Sequence, residues 1–310
     1  MKIVYAGAPE FSVAPLKKII ESGFDVIALL TQPDKPVGRK AILTPTPLKA
    51  FALERGIPVL DYSRVRDHIA ELSALGADCM VTCAYGQILT KEVLDVFPLG
   101  VYNVHASLLP KYRGASPIQQ CIACGDCVTG VTVMRTDVGL DTGDMLLQRE
   151  IQIAPEDTAG TLSEKLSVLG GECIVEALCL IGKGEAKFTP QDNSRACLCK
   201  KICKEGCFID FSESAQTIVN RIRAMNPAPL CYSYLGEKLV NFFTAAVCTE
   251  TGGERTGEVF RADKTGIYVR AGEGCVKILE LQAEGGKKLR AADFVNGRKI
   301  SVGDVFGGKR

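Results

Sequence analysis

Short apolar runs alternate with longer segments of helical periodicity through the first half of the chain. The runs are rich in β-branched residues and predict strands at residues 3–6, 25–30, 58–61, 79–84, 101–105 and 130–134. Between them, apolar residues that recur at helical spacing predict helices at residues 13–21, 47–54, 65–75, 91–97 and 117–123. The alternation predicts βαβ units and therefore an α/β domain with a mainly parallel, Rossmann-like sheet.

A different pattern begins near Asp157, which can cap a helix. Apolar positions from Leu162 to Leu180 recur at helical spacing, with Gly170 and Gly171 as the point where the helix can break. Residues 191–206 lose this periodicity and are interpreted as a linker between a first domain, residues 1–190, and a second, residues 207–310. After a helix at residues 215–225, short Gly-rich strands at residues 238–243, 256–260, 266–269 and 276–281 predict a small β-barrel or sandwich.

Composition and charge exclude several classes of protein. With 310 residues, 46% of them hydrophobic, the chain can form two ordinary domains, and a net charge of +1 points to no strongly charged partner. No apolar run approaches the length of ~18 residues that a membrane span needs, and the first residues already predict a strand. We expect a cytoplasmic monomer with no membrane segment. No P-loop or complete dinucleotide-binding turn is present.

The cysteines number fourteen, and without a secretory signal we expect them to be reduced thiols. Two groups could suggest a metal site: Cys121, Cys124 and Cys127, and then Cys197, Cys199, Cys203 and Cys207. The first group falls on a predicted helix, where its spacing places small residues on the face toward the core. The spacings of the second group fit no standard zinc or cluster pattern, so no metal is expected.

A polar pair ends one of the predicted strands. Of the two histidines, His68 is interpreted as structural, whereas His105 ends the apolar strand at residues 101–105. The two-residue period of a strand places Asn103 and His105 on one face, and the carboxyl ends of parallel strands border the ligand crevice. An amide that stabilises an oxyanion beside an imidazole that moves a proton suits acyl transfer to an amine. A hydrogen-bonded pair that only completes the strand is the structural alternative.

A carboxylate in a glycine-flanked loop is the third candidate. In the segment VGLDTGDM at residues 138–145, glycines on both sides of Asp141 let the loop bend closely around its side chain. Asp141 could orient His105 and stabilise its protonated form. A turn-forming Asp without a chemical role remains equally open.

Several short motifs follow one another along the chain. They are NVH at residues 103–105, SLLP at 107–110, RGASP at 113–117 and LDTGD at 140–144. Others extend nearly end to end: AGAPEF at residues 6–11, TQPDKP at 31–36, AYG at 84–86 and RAMNP at 223–227. In these ordered motifs the chain resembles the folate-dependent formyltransferases, and within them the enzymes that act on a charged tRNA.

The resemblance implies an activity and a set of site residues. The donor would be 10-formyltetrahydrofolate and the acceptor the α-amino group of methionine on initiator tRNA, with no metal. Asn103, His105 and Asp141 would be catalytic. The folate would contact Ser107, Leu108, Leu109 and Pro110, together with Tyr85 and Gly86. The C-terminal domain would be an OB-like barrel that touches tRNA.

Basic residues in two regions are candidates for tRNA contact. Prolines keep the segment at residues 31–50 extended and out of the sheet. Its residues Lys35, Arg39 and Lys40 could bind an RNA end, and the resemblance implies this role for Arg39. In the C-terminal domain Lys287, Lys288 and Arg290 are bunched as a phosphate-binding surface requires. In both regions, solvated surface loops are the structural alternative.

Two other functions compete with formylation of tRNA. A formyltransferase acting on an amino-sugar nucleotide or on glycinamide ribotide would need the same three catalytic residues. A non-catalytic RNA-binding protein on the same fold would have no need for them. The basic loop favours tRNA over the small acceptors, and the intact trio favours an enzyme.

Arg39→Ala tests the role of the basic loop. We expect the KM for charged tRNA to rise several-fold because a guanidinium contact to phosphate is lost, while folate affinity is unchanged. Steady-state kinetics with each substrate varied in turn measures both, with Arg55→Ala, just beyond the loop, as the control. An equal loss for tRNA and folate would contradict the role.

Overall fold

The computed structural model describes residues 1–37 and 41–308. The chain divides into two compact units, each of more than one segment. The first comprises Met1–Pro117, Val128–Gln152 and Ser163–Cys199, and the second comprises Ile118–Cys127, Ile153–Leu162 and Lys200–Arg310. The predicted boundaries at residues 190 and 207 stay a prediction. Over the described residues, no helix combines the length and apolar character of a membrane span.

Strands and helices alternate through the first two hundred residues or so. The strands are β1 (Lys2–Gly7), β2 (Asp25–Leu30), β3 (Lys35–Val37), β4 (Ile42–Thr44), β5 (Val59–Leu60), β6 (Cys79–Cys83), β7 (Val101–His105), β8 (Arg113–Gly114), β9 (Val128–Arg135), β10 (Met145–Gln152) and β11 (Leu198–Cys199). The helices are α1 (Val13–Glu21), α2 (Pro47–Glu54), α3 (Ile69–Ala74), α4 (Lys91–Leu94), α5 (Pro117–Ala123) and α6 (Ala159–Lys183).

A seven-stranded sheet in the order β10-β9-β7-β6-β1-β2-β5 forms the centre of the first unit. The pairs from β7 to β5 are parallel, whereas β9 is antiparallel to both β7 and β10. Every residue of β6, and every residue of β1 after Lys2, is buried, as expected for parallel strands covered on both faces. The predicted α/β class with a mainly parallel sheet is confirmed.

Several local predictions for this unit differ from the structure, among them the helix predicted at residues 91–97, which ends at Leu94. The helix expected at residues 65–75 begins only at Ile69, because His68, with φ −125°, lies outside the helical region and stacks on Tyr62. Edge strand β10 was not predicted, since its residues are half-buried or exposed and only its first three are consecutively apolar. Within the loop expected at residues 31–50, β3 and β4 form a separate two-stranded sheet.

Helix α6 runs through Gly170 and Gly171 without the expected break. A Cβ on Gly170 would lie 2.9 Å from Cγ1 of Val104 in β7, and one on Gly171 would lie 3.1 Å from Cβ of Lys18 in α1. The glycines therefore allow close packing of the helix against its neighbours, which offsets their low helix propensity.

The segment interpreted as a linker is partly bonded into the first unit. Strand β11 pairs in parallel with β8, with Leu198 opposite Arg113 and Cys199 opposite Gly114. Loss of helical periodicity at residues 191–199 thus reflects an irregular segment fixed by hydrogen bonds. Sequence periodicity cannot distinguish such a segment from a free connection.

Beyond residue 200, the described part of the second unit contains an antiparallel sheet and two α-helices. Its elements after residue 200 are α7 (Ala215–Ala224), β12 (Cys231–Leu235), β13 (Lys238–Cys248), β14 (Val259–Asp263), β15 (Gly266–Arg270), β16 (Cys275–Ala283), β17 (Leu289–Arg290), α8 (Ala291–Asn296) and β18 (Phe306–Gly307). The strand order is β14-β15-β16-β13-β12-β18, with β17 beside β16. A bridge between Glu258 and Val305 brings the two edges together, so the sheet is a curled half-barrel. The predicted second β-domain is confirmed, although strands β12, β17 and β18 were not predicted.

Three phenylalanines form the centre of this half-barrel. The rings of Phe211, Phe242 and Phe306 lie with centroids 5.5 to 6.1 Å apart. All three side chains are buried. Because Phe306 lies in the last short strand, its ring attaches the end of the described chain to this core.

Replacing Phe306 by Ala should lower the free energy of unfolding by about 3–5 kcal/mol, because a buried ring is lost and a cavity remains. Urea unfolding followed by circular dichroism measures the change. Val302→Ala, at a side chain that is 63% exposed, is the control and should change stability by less than about 0.5 kcal/mol. Similar effects of the two substitutions would contradict the role of the ring cluster.

Candidate active site

The polar end of β7 lies in the middle of the sheet. Asn103 is paired with Thr82 of β6 on one side and with Met134 of β9 on the other. Asn103 and His105 project to one side, while Val104 between them packs against Gly170 of α6 on the other. The structure therefore places both side chains where the sequence pattern predicted them.

The imidazole of His105 is buried and held by a backbone carbonyl. Its Nε2 lies 3.0 Å from the carbonyl oxygen of Tyr112. A carbonyl oxygen can only accept, so Nε2 carries the proton and Nδ1 is the basic nitrogen of the neutral ring. Nδ1 faces Asp141, with 3.8 Å between Nδ1 and Oδ2. The Tyr112 carbonyl thus fixes which nitrogen faces the site. No sequence pattern predicted this contact.

The carboxylate of Asp141 faces three neighbours, two in β7 and one in β8. Its Oδ2 accepts a hydrogen bond of 2.8 Å from the backbone N–H of Gly114. Its Oδ1 accepts from Nδ2 of Asn103 at 3.4 Å, and Oδ2 also faces His105. With 6% of the His105 side chain and 16% of the Asp141 side chain exposed, charges in this group are poorly screened by water. The structure brings the three predicted catalytic residues together.

The loop around Asp141 depends on close backbone approach. A Cβ on Gly143 would lie 1.8 Å from the carbonyl oxygen of Arg135, and one on Gly139 would lie 2.0 Å from Oγ1 of Thr142. The left-handed residue of the loop is Asp141 itself, with φ +52°. Asp tolerates this region better than most residues do. The flanking glycines therefore supply space, and Asp141 supplies the turn.

The orientation of the Asn103 amide is set by Thr82. The hydroxyl of Thr82 donates to Oδ1 of Asn103 at 3.2 Å. Because the oxygen is engaged in this way, the NH2 group of the amide turns toward Asp141. Thr82 was predicted only as a strand residue, and the register of β6 against β7 is what brings it to Asn103.

Two further residues that sequence reasoning missed join the Asp141 loop to the rest of the site. The buried guanidinium of Arg113 donates to Oε1 of Gln191 at 2.9 Å and to Oδ1 of Asn193 at 2.8 Å. Nε2 of Gln191 donates to the carbonyl oxygens of Asp141 and Gly143. The sequence analysis included Arg113 only as part of the motif at residues 113–117. It predicted no role for Gln191, which lies in the segment interpreted as a linker.

The predicted folate residues after β7 form a tightly bonded turn. The hydroxyl of Ser107 donates to the carbonyl oxygen of Lys111 at 2.6 Å, and Thr132 bonds both Ser107 O and Leu109 N. Ser107, Leu109 and Pro110 are buried, whereas Leu108 is half-buried. Of these four side chains, Leu108 is the one that offers apolar surface to a ligand.

Tyr85 and Gly86 follow the end of β6. The Tyr85 ring belongs to the hydrophobic core of the first unit, and burial raises the pKa of its hydroxyl. That hydroxyl has no hydrogen-bond partner within the described part of the chain. Gly86 is exposed, with φ +74°, and a Cβ there would lie 3.0 Å from Nε2 of Gln32. The folate assignments of both residues stay predictions.

The predicted tRNA residues fall in both units. Lys35, at the start of β3, is exposed and donates to Gln32, whereas Arg39 and Lys40 lie outside the described residues. In the second unit Lys287, Lys288 and Arg290 are exposed. The Lys288 ammonium lies 2.9 Å from Glu280, and this contact holds the pKa of the Glu280 carboxyl below its usual range. Part of the charge of the C-terminal cluster is therefore compensated.

All fourteen cysteines have free thiols. The predicted inward face of the first group is wrong in part, because only Cys121 is buried and α5 ends before Cys124 and Cys127. In the second group Cys199 and Cys207 are buried and Cys197 and Cys203 are exposed. Burial raises the pKa of the Cys199 thiol, which favours its neutral form. Across the described residues, no set of three or more potential ligands is arranged to hold a metal ion.

Comparison with known proteins defines the class first. A family profile described as formyl transferase matches residues 1–178, and one described as formyl transferase, C-terminal domain, matches residues 201–299. An N-formyltransferase from Helicobacter canadensis, solved with folinic acid and dTDP-3-aminofucose, superposes with a TM-score of 0.70 at 20% identity, covering 93% of this chain and 100% of that one. HypX from Aquifex aeolicus, solved with tetrahydrofolic acid, superposes with a TM-score of 0.66 at 19% identity, covering 97% of this chain and 48% of that one. The chain is therefore a member of the formyltransferases, and the solved neighbours share its fold.

Whole-length sequence similarity narrows the class. A methionyl-tRNA formyltransferase of Citrifermentans bemidjiense is 44% identical, over 100% of this chain and 97% of that protein. One of Ruminiclostridium cellulolyticum is 40% identical, over 99% of this chain and 100% of that protein. The chain belongs to the methionyl-tRNA formyltransferase family.

Gly114→Ala tests the close approach of the Gly114 backbone to β11. Gly114 has φ +116°, and a Cβ there would lie 2.3 Å from the carbonyl oxygen of Cys199. Gly76 also has a positive φ, +60°, but open space around it, and is the control. We expect Gly76→Ala to cost about 1 kcal/mol of unfolding free energy and Gly114→Ala a further 1–3 kcal/mol or so, measured by urea unfolding. Equal costs would mean that the close approach to β11 imposes no constraint.

Proposed function

We propose that this chain transfers the formyl group of 10-formyltetrahydrofolate to the α-amino group of methionine on initiator tRNA. One observation carries the proposal: the Asn103 amide, the His105 imidazole and the Asp141 carboxylate meet at the end of β7. The relatives that match over the full length of the chain are named methionyl-tRNA formyltransferase. Folate derivatives bound in solved relatives of the same fold support the donor class.

The first chemical step is attack of the amine on the formyl carbon. The α-amino group of an aminoacyl ester resembles a free terminus, whose pKa of about 8 leaves a useful neutral fraction near pH 7. A C–N bond forms and the formyl oxygen becomes an oxyanion. Nδ2 of Asn103 can donate to that oxygen, because Thr82 keeps the NH2 group turned into the site.

The second step moves a proton. Nδ1 of neutral His105 takes the proton that the attacking amine loses, since Nε2 remains bonded to Tyr112 O. The imidazolium that forms faces the Asp141 carboxylate, which stabilises the added charge. The proton then passes to the folate nitrogen as its bond to the formyl carbon breaks. The products are formylmethionyl-tRNA and tetrahydrofolate.

Exposed basic residues support a nucleic-acid acceptor. Lys35 in the first unit and Lys287, Lys288 and Arg290 in the second present positive charge to solvent, as phosphate contacts require. Formylation of an amino-sugar nucleotide is the second candidate, favoured by the fold shared with the Helicobacter canadensis enzyme. That likeness, at 20% identity, extends to the fold alone, whereas relatives at 40–44% identity are named for tRNA.

A comparison of four acceptors, each offered separately, tests the proposal. Purified protein and 10-formyltetrahydrofolate are offered initiator methionyl-tRNA, elongator methionyl-tRNA, dTDP-3-aminofucose and glycinamide ribotide in separate reactions. We expect formyl transfer to initiator methionyl-tRNA above all others, detected by mass spectrometry of the released amino acid or product. Preferred formylation of the amino sugar or the ribotide would overturn the proposal. Binding of tRNA without turnover on any acceptor would favour a non-catalytic RNA-binding protein.

Asn103→Ala should lower turnover by on the order of 100- to 1000-fold, because an oxyanion donor is removed. Steady-state kinetics at saturating tRNA and folate measures the loss. The exposed Asn296, in the second unit, gives the control Asn296→Ala, which should leave turnover unchanged. Near-normal turnover of Asn103→Ala would remove Asn103 from the mechanism.

A further inference from the structure

We infer that Gln191 is a positioning residue, which holds the Asp141 loop in the conformation that formyl transfer requires. The inference rests on the proposed function, because it concerns the same site. Gln191 touches none of the reacting groups of the site. It acts through the backbone on either side of Thr142.

The side-chain amide of Gln191 uses all of its main hydrogen-bonding capacity on this site. Nε2 donates to the carbonyl oxygen of Asp141 at 2.9 Å and to that of Gly143 at 2.7 Å. Oε1 accepts from Nε of Arg113 at 2.9 Å. A half-buried primary amide with both protons and its oxygen engaged has one favoured orientation.

The Asp141 loop needs such an anchor. Asp137 accepts from Gly139 N and from the hydroxyl of Thr142, so it links residues before and after Asp141. Asp141 between them is left-handed, a conformation that costs an L-residue energy and persists only when neighbours hold it. The two carbonyl groups that Gln191 binds flank Thr142. Their contacts therefore resist rotation of the backbone that aims the carboxylate.

The anchor is itself connected to the opposite side of the carboxylate. Arg113, which binds Gln191, is followed by Gly114, whose N–H binds Oδ2 of Asp141. Two consecutive residues thus hold Asp141. Arg113 holds its backbone carbonyl through Gln191, and Gly114 holds its carboxylate directly. A second contact from Arg113 to Asn193 and the pairing of β8 with β11 keep these residues in place.

The chemistry of the contacts specifies glutamine at this position. Gln191→Glu keeps the shape but places a carboxylate oxygen against two carbonyl oxygens, so both donors are lost and repulsion replaces them. Gln191→Ala leaves two carbonyl groups and the Arg113 Nε–H without a partner. Gln191→Asn keeps the amide but shortens it by one methylene. We therefore expect kcat to be highest with Gln at position 191, lower with Asn, and lowest with Ala and Glu.

Steady-state kinetics of Gln191→Ala and Gln191→Glu tests the inference. A carboxylate displaced by about 1 Å can cost on the order of 100-fold in rate, so we expect kcat to fall by about 10- to 100-fold. The KM values for folate and for charged tRNA should stay within about twofold, because no substrate contact is removed. Gln191→Asn should recover part of kcat. Thermal unfolding shows which variants fold. If Gln191→Ala does not fold, Gln191→Glu, whose side chain has the same size as glutamine, tests the inference instead.

Gln87 offers a matched control in the same unit. Its Nε2 donates to Tyr62 O and its Oε1 accepts from Val65 N, each at 2.8 Å, and it is half-buried like Gln191. Gln87→Ala removes comparable hydrogen bonds that include no contact to Asn103, His105 or Asp141. We expect a similar loss of stability and an unchanged kcat. Equal kcat losses in Gln87→Ala and Gln191→Ala would reduce the role of Gln191 to general stability and overturn the inference.

A second readout is independent of turnover. Amide hydrogen exchange measured by NMR should be faster at Gly114 in Gln191→Ala than in wild type, because its acceptor Asp141 is less firmly held. Gln87→Ala should leave that rate unchanged. An unchanged Gly114 rate, or wild-type kcat in Gln191→Ala, overturns the inference. A wild-type protein that formylates no acceptor overturns the proposed function instead, and the exchange rates then decide whether Gln191 holds Asp141.

Discussion

The candidate site depends on one carboxylate held in a left-handed turn. Asp141 reaches the end of β7 because its loop lacks side chains at Gly139 and Gly143 and because Gly114 N–H binds its Oδ2. In a poorly hydrated site, a carboxylate so fixed stabilises an adjacent imidazolium more strongly than one that must reorient. Asn103 and His105 both face this carboxylate, so its position determines how the two side chains interact with it.

The strand that carries the site could be predicted from sequence, as could its neighbours. The apolar run at Val101–His105 fixed both its bounds and the shared face of Asn103 and His105. Helices α1, α2 and α5 agree with prediction at both ends, since a proline or glycine lies near one end of each. These features depend on residues close together in sequence, where periodicity carries the information.

The supporting contacts could not be predicted, because they depend on register and on segments distant in sequence. Thr82 meets Asn103 only through the pairing of β6 with β7. Gln191 lies in a segment without periodicity, 50 positions from Asp141. The proton position on His105 follows from the carbonyl of Tyr112, a residue whose own side chain gave no indication. Strand β10 was missed for a different reason: it is an edge strand whose residues are half-buried or exposed, and only its first three residues are consecutively apolar.

The close approach of α6 to β7 has a consequence on the opposite side of the sheet. Gly170 leaves room for Val104, whose neighbours in the strand are Asn103 and His105. A methyl group at Gly170 would need space that the Val104 side chain occupies, so either the helix or the strand that carries Asn103 and His105 would have to shift. The positions of the candidate residues therefore depend on how closely a helix packs behind their strand, as well as on the loop in front of it.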